Sequence, residues 1–383
     1  MKNIKQILTF FFCFMAISVT AQEQSWSLSG YVSGMPSFIV QPGSDVWWQG
    51  LVHNRLNFGW QLSKYLRIDA GMRNRFITGS EAMIDPQSID ADAGLMDLSW
   101  NWFDAGTKNN SSLLNTTFDR LNFTFEKGKW RLQLGRQRIN WGQTFVWNPN
   151  DLFNTYSFFD FDYPERPGCD AFRGTYFHNA TASSELAVSA NRNGKITVAA
   201  MHHWNAKGLD YQIIAGEQDE IDLVIGGAVT GSIDGLNLRS EMSYFHPAKN
   251  IADTSGIVAV SVGADYSFGN SLMLQAEVLY NNVGQSGGLM DIYTAPLSAK
   301  RMSICNRTAF ANASYPITPR LNGSLSSMYF VEIQSCYAGL TLDYSVIENL
   351  DFSFVAQYFT TFGASTAGNI QLLLGFARLK YSF

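Results

Sequence analysis

The sequence predicts an all-β fold in which one antiparallel sheet closes into a transmembrane barrel of roughly 18 strands, with 16 as the alternative count. Three observations predict it. Apolar and polar residues alternate along most of the chain. After Gln22 no apolar run is long enough for a helix that spans a bilayer. The last strand alternates up to Phe383, the final residue.

Composition agrees. Only 15% of the 383 residues are charged and 14% are aromatic, whereas soluble chains average about 25% charged. A helical membrane protein would exceed the 46% apolar content by a wide margin. A membrane barrel meets both limits, because lipid-facing and water-facing residues alternate and average out.

The N-terminus sets the compartment. Lys2 and Lys5 precede an apolar stretch from Ile7 to Val19, and Val19, Thr20 and Ala21 place small residues where a signal peptidase cuts. Residues 1–21 therefore read as a cleaved secretory signal and 22–383 as the barrel. The apolar core is short for a ~20-residue span, and Cys13 lacks the small residue before it that a lipoprotein needs. Removing two lysines leaves 25 basic against 32 acidic residues, net −7. That balance argues against a nucleic-acid binder. Cys169, Cys305 and Cys336 remain. An odd number without a C-x-x-C excludes a fully paired framework and points to free thiols, or at most one bridge.

The strands show a two-residue period. In 65–78, Leu66, Ile68, Ala70, Met72 and Phe76 fall on one face, and Arg67, Asp69, Arg73 and Arg75 on the other. In 271–283, Leu274, Ala276, Val278 and Tyr280 oppose Gln275, Glu277 and Asn281. The segments 129–138, 256–268 and 349–361 repeat the pattern. Short turns are expected at Ser63-Lys64, Lys127-Gly128, Asn193-Gly194, Gly269-Asn270 and Glu348-Asn349, and longer polar stretches at 34–48, 79–92, 104–113, 246–255, 284–302 and 361–369. Trp47, Trp48, Trp60, Trp100, Trp102, Trp130, Tyr280, Tyr329, Tyr344 and Tyr358 are placed for interfacial girdles. Nineteen strand-like segments can be counted. Single-chain barrels normally have an even number, so one segment, in 93–126 or 195–218, is not a barrel strand.

Alternation fails in one place, 139–168. Asn148-Pro149-Asn150-Asp151 is a turn cluster from which a short helix could run to Phe158, and Pro164, Pro167 and Gly168 end the segment. Its aromatics, Trp141, Phe145, Trp147, Phe153, Phe158 and Phe159, need burial. Arg136, Arg138, Asp160, Asp162, Glu165 and Arg166 need partners. Folding into the lumen satisfies both needs and makes a constriction; packing on the rim makes a cap. Arg136, Arg138, Trp141, Asn148, Asp151, Asp160, Asp162 and Arg166 are the candidate residues of that segment.

Leu379, Tyr381 and Phe383 alternate to the end of the chain. The pattern resembles the terminal strand of Gram-negative outer-membrane barrels, and the resemblance implies recognition by the barrel-assembly machinery. Gly135-Arg136-Gln137-Arg138 with Trp141-Gly142 resembles a strand end of alginate-export-type barrels. The whole block, with NPNDLFN and DFDYPERPG, resembles largely uncharacterised Bacteroidetes-type outer-membrane proteins. This match covers about a tenth of the chain and supports the fold more than any cargo.

These readings give an expected function. A barrel of this size leaves an aqueous lumen unless something fills it. A porin-like, passive channel for small polar solutes is expected in the outer membrane, with outer-membrane lipid around it. Arg55, Arg67, Arg73, Arg75, Arg120 and Arg131 on the polar face suit anions. Asp69, Asp97 and Glu126 share those faces and could pair with them instead. The strand starting at Trp26 leaves no room for an N-terminal plug domain, and no cofactor is expected. A secretion or polysaccharide-export barrel, and a sealed surface barrel, are the alternatives. A homo-oligomer is compatible with either. The five histidines form no catalytic motif, and His202 and His203 lie on opposite faces of a strand, so an enzyme is not expected. Asp85, Asp90 and Asp92 do not form an EF-hand loop, and no metal is expected.

Overall fold

The computed structural model describes residues 25–43, 46–80, 94–104, 111–156, 158–159, 165–249, 255–284, 298–362 and 371–383. The expected signal, 1–21, and Asp85, Asp90, Asp92, Asp160 and Asp162 lie outside them. Among the described residues nineteen strands form one sheet. The first six are β1 (Trp26–Val40), β2 (Trp47–Ser63), β3 (Leu66–Gly79), β4 (Ser99–Asp104), β5 (Ser111–Lys127) and β6 (Trp130–Gln137). Then come β7 (Cys169–Asn179), β8 (Ala182–Ala190), β9 (Ile196–Ala206), β10 (Leu209–Gln218), β11 (Asp222–Ile233) and β12 (Leu236–Pro247). The chain ends with β13 (Ile257–Ser267), β14 (Met273–Asn281), β15 (Arg307–Thr318), β16 (Leu321–Phe330), β17 (Ser335–Ile347), β18 (Leu350–Thr361) and β19 (Gln371–Ser382).

Eighteen strands close the barrel and one is extra. Each barrel strand pairs antiparallel with its neighbours, and β1 pairs with both β2 and β19. Closure pairs both edges of the barrel strands. The odd strand is β4, inside 93–126, one of the two windows that the parity argument left open. It pairs with β5 alone, from Ser99↔Thr117 to Asp104↔Ser112. β5 pairs with β3 along one edge, while β6 covers its other edge only between Leu121 and Lys127. β4 occupies the rest, where β6 has left the wall.

The alternation is realised as expected. On β3, Arg67, Asp69, Arg73, Arg75 and Ile77 share the lumen face, and Phe76 points out, 39% exposed. Apolar side chains such as Ile225, Val278 and Leu325 cover the outside. In lipid this exterior costs nothing, and the closed ladder satisfies the backbone. Three sequence expectations are corrected. Strand β1 continues to Val40, so the stretch 34–40 is not a loop. Among the described residues no helix follows Asn150; Asp151 N–H instead turns back to the carbonyl of Asn148 at 3.1 Å. The Asn193-Gly194 turn joins β8 to β9 at the same end as the long connections, not at the short-turn end.

Strand parity also fixes where the irregular segment enters. Both β1's start and β19's finish lie at the short-turn end, where Gly30 and Phe383 exchange two backbone bonds of 2.9 Å. Leu379, Tyr381 and Phe383 are exposed on the outer face there. The 138–168 segment leaves β6 at the opposite, long-loop end. On the outer-membrane plan that end faces outward.

Candidate constriction in the lumen

The segment folds into the barrel because most of the backbone N–H groups between Gln143 and Asn150 that bond find their acceptors on the wall. Two carboxylates, Glu241 and Glu277, provide them, and a third, Glu185, holds the Trp141 side chain. Glu241 on β12 accepts from the N–H of Gln143, from Thr144 N–H at 2.6 Å and Oγ1 at 2.9 Å, and from Asn150 N–H at 3.2 Å. Glu277 on β14 accepts from Phe145, Val146 and Trp147 N–H at 2.8, 3.1 and 2.8 Å, and from Ser261 Oγ at 2.8 Å. Glu185 on β8 accepts from Trp141 Nε1 at 2.5 Å and Arg173 at 2.7 Å. Gln212 and Gln218 on β10 hold the carbonyls of Trp141 and Leu152 at 3.0 and 2.9 Å.

The apolar side chains of the segment pack onto the same walls. Ile139, Trp141, Val146, Trp147 and Leu152 are buried in one cluster with Ala187, Ile214, Val224, Phe245 and Leu279. Burying one such side chain contributes about 1.5–3 kcal/mol. Phe158 and Phe159 reach the far wall, with ring centroids 5.2 Å from Phe310 and 5.1 Å from Tyr337. The segment then returns along β1, β2 and β5. Tyr31 donates to Glu165 at 3.1 Å, and Arg120 donates to the carbonyls of Glu165 and Arg166 at 2.7 and 2.8 Å. It therefore crosses the lumen and makes a circuit of the wall. A second inward stretch, with Ala299, Met302, Ile304 and Cys305 buried in the same cluster, joins it at the loop end.

Below the segment, toward the turns, the lumen opens into polar cavities. One of about 500 Å³ lies between Phe145 and Phe158 of the segment and Asn312, Asp343 and Arg378 of the wall. Another of about 300 Å³ lies beside Trp141 and Gln143, lined by Arg131, Arg173 and His203. A third of about 170 Å³ lies between Asn57, Arg67 and Arg120.

The six expected pore arginines divide. Arg55 is buried and makes a two-pronged pair with Asp119 at 2.5 and 3.1 Å. A β-bulge causes this: Gly71 pairs with Arg120 and Met72 with Phe118, so Asp119 is the extra residue and both it and Arg120 face inward. Arg67 pairs with Asp69 and Arg131 with Glu126 on exposed lumen surface. Arg75 donates to Asn115 at 3.1 Å, and Arg73 is buried on the same face. Arg120 donates to carbonyl oxygens, of Asp119, Glu165 and Arg166, and pairs with no carboxylate among the described residues.

The segment candidates divide too. Arg136 lies outside the constriction. It is 2% exposed in the wall seam between β5 and β7, paired with Asp170 and bonded to the carbonyls of Phe118 and Met96. It clips the stretch leading into β4 onto the barrel. Trp141, Asn148 and Asp151 are buried inside the segment. Asn148 donates to Tyr156 Oη at 3.1 Å, and Arg138 and Arg166 lie over the Tyr156 ring. Cys169, Cys305 and Cys336 are free thiols. Sequence reading missed the anchors Glu185, Glu241 and Asp119 and the role of Glu277. The available signal was a lone carboxylate at a lumen position, with Ala228 and Ser261 opposite Glu241.

Asp151 gives the segment a pH dependence. It sits on the inward segment, not on a membrane-crossing strand. Burial pushes its carboxyl up to about 8, against the pull of Arg138. Neither of its oxygens has a well-formed hydrogen bond. An ordinary Asp ionises near 4, so the fold favours the neutral form. That stabilisation is complete below about pH 4 and is lost as pH rises through about 8. Cleavage of the segment by an added protease should therefore quicken as pH rises from about 4 towards 8 and level off above about 8. Asp151→Asn should flatten that rise; an equal rise in the Asn variant would assign it elsewhere.

The closed 18-strand wall and the apolar exterior define a transmembrane antiparallel β-barrel, with one segment folded into its lumen. Solved structures agree on this fold. The chain is similar to OccK7 (OpdD) of Pseudomonas aeruginosa, with a TM-score of 0.58 at 10% identity, over 94% of this chain and 99% of that one. OccAB1 of Acinetobacter baumannii gives 0.58 at 10% identity over 95% and 99%. The P. aeruginosa outer membrane protein OpdK gives 0.54 at 8% over 93% and 99%. No family model matches the chain. No curated protein matches it.

Proposed function

We propose that this barrel passes small polar solutes across the outer membrane, through a lumen narrowed by the 138–168 segment. The observation that carries the reading is the segment's suspension. A rim cap does not need three wall carboxylates beneath it; a fixed constriction does. The proteins of similar fold named above point the same way. Transport is passive, and no catalytic step is assigned to the lumen.

Anion preference is the finer reading. Arg120 supports it, as a guanidinium that pairs with no carboxylate among the described residues, in the cavity it shares with Arg67. The paired Arg55, Arg67 and Arg131 support instead a lumen braced by ion pairs. Residues 1–21 act as the export signal, and Leu379, Tyr381 and Phe383 as the mark read by the assembly machinery.

Refolded residues 22–383 in a planar bilayer test both. Steady openings with anion preference under a salt gradient are expected. Arg120→Gln keeps donors for the Glu165 and Arg166 carbonyls but removes the charge, and should reduce the preference about two- to threefold, a loss near 0.5 kcal/mol. A folded barrel that stays silent, and conducts only after 143–166 are deleted, would make the segment a plug. The sealed or export readings would then replace the channel.

A further inference from the structure

The outer wall carries a cluster that contact with hydrocarbon does not explain. At the turn end of β6 to β10 six outward rings touch in sequence: Trp130, Tyr176, His178, His202, Trp204 and Tyr211. Their successive centroids lie 4.8, 4.9, 5.4, 5.4 and 5.4 Å apart. Ser184 Oγ on β8 sits between the two histidines, 2.8 Å from His178 Nε2 and 2.9 Å from His202 Nδ1. A hydroxyl has one proton, so one of the two imidazoles must donate to it. That fixes both rings and leaves His178 Nδ1 and His202 Nε2 without a hydrogen-bond partner among the described residues.

The cations gather at the same height. Lys129, in the β5–β6 turn, donates to the carbonyl of His178 at 2.9 Å and lies 6.0 Å from the Tyr176 ring. Lys127 and Lys207 stand in or beside adjoining turns. The acids at this end, Glu126 and Asp210, belong to the lumen face, where they meet Arg131 and His203. The outward face is thus cationic and aromatic, with no described carboxylate to neutralise it. Tyr and Trp mark the depth as the membrane–water interface. Imidazole and ammonium groups facing hydrocarbon would lack acceptors. At headgroup depth the abundant acceptor is a phosphodiester oxygen, and bonds from cationic donors to phosphate are among the strong ones.

We propose that Lys129, His178 and His202 dock the phosphate of an anionic phospholipid in the leaflet at the turn end, its glycerol and first acyl carbons lying on Trp130 and Trp204. The site is independent of conduction through the lumen.

The mature barrel in phosphatidylcholine nanodiscs containing a minor fraction of phosphatidylglycerol tests this, with retained lipids counted by native mass spectrometry. The parent should retain phosphatidylglycerol above its bulk fraction. Lys129→Ala with His178→Ala and His202→Ala should lose that enrichment several-fold, with phosphatidylcholine retention unchanged. Equal enrichment in parent and variant would overturn the proposal. So would displacement of the lipid by inorganic phosphate, which would make this a site for free anions. If the triple variant does not fold, Lys129→Gln, a turn substitution, carries the test. Its enrichment should also fall, and an unchanged value sinks the lipid site.

Discussion

Replacing Glu241 and Glu277 together with alanine should raise single-channel conductance several-fold and make the current noisy. The two carboxylates accept six backbone N–H bonds, from Gln143, Thr144, Asn150, Phe145, Val146 and Trp147. All six donors sit on one stretch of irregular chain that has no ladder of its own. A buried donor left without an acceptor costs about 1–3 kcal/mol. The apolar anchors of the same stretch contribute about 1.5–3 kcal/mol each, and Val146 and Trp147 cannot stay buried without burying their own orphaned N–H groups. The segment should therefore leave the wall. The barrel should not: Ala228 and Ser261 opposite Glu241, and Gly263 and Phe310 opposite Glu277, keep their ladder bonds. Melting should thus change little while conductance changes much. Single Glu→Gln variants, which keep one acceptor oxygen, should fall between. Unchanged conductance in a folded double variant would show that the segment does not narrow the path.

Arg136→Ala should be the most destabilising single substitution in the wall. The guanidinium meets Asp170 through two bonds of 2.8 Å and the carbonyls of Phe118 and Met96 at 3.2 and 2.5 Å. Removing it strands a buried carboxylate, for which about 3–5 kcal/mol is typical. It also frees the stretch that carries β4 into the gap left by β6. Arg136→Lys cannot form the fork and reach both carbonyls, so it should recover only part of the loss. Arg136→Leu with Asp170→Leu should recover more, because an apolar pair leaves no orphaned charge. The readout is the heating temperature at which the detergent-purified barrel loses its compact gel migration. An alanine variant that melts with the parent would show that the seam is closed by backbone pairing alone.

Much of the wall was legible in the sequence, for a physical reason. Lipid outside and water or packed protein inside impose opposite demands on successive residues, so the faces of β3, β14 and β18 can be assigned residue by residue. Parity required one segment, in 93–126 or 195–218, to lie outside the ring, because a closed antiparallel ring must have an even count; the structure places it in the first window. The irregular segment announced itself by losing the two-residue period. The polar-lumen expectation held only for the turn half. In the loop half, Leu279, Phe245 and Phe359 face inward, because the lumen is filled there. A lumen-facing Leu and a lipid-facing Leu look the same in sequence.

What the sequence determined by itself is everything set by solvent on either side of a strand: the all-β class, the barrel, the strand faces and the place where the pattern breaks. What only the tertiary structure decided is which distant groups meet. Glu241 lies 97 residues from Thr144, Glu277 lies 130 from Trp147, and Asp119 faces Arg55 through a bulge. Arg136 read as a residue of the constriction or cap and became a wall clip, because at the end of β6 its guanidinium meets Asp170 and the carbonyls of Phe118 and Met96 where β4 takes over beside β5. Local periodicity records the medium around each residue. It does not record partners brought together by closing the ring.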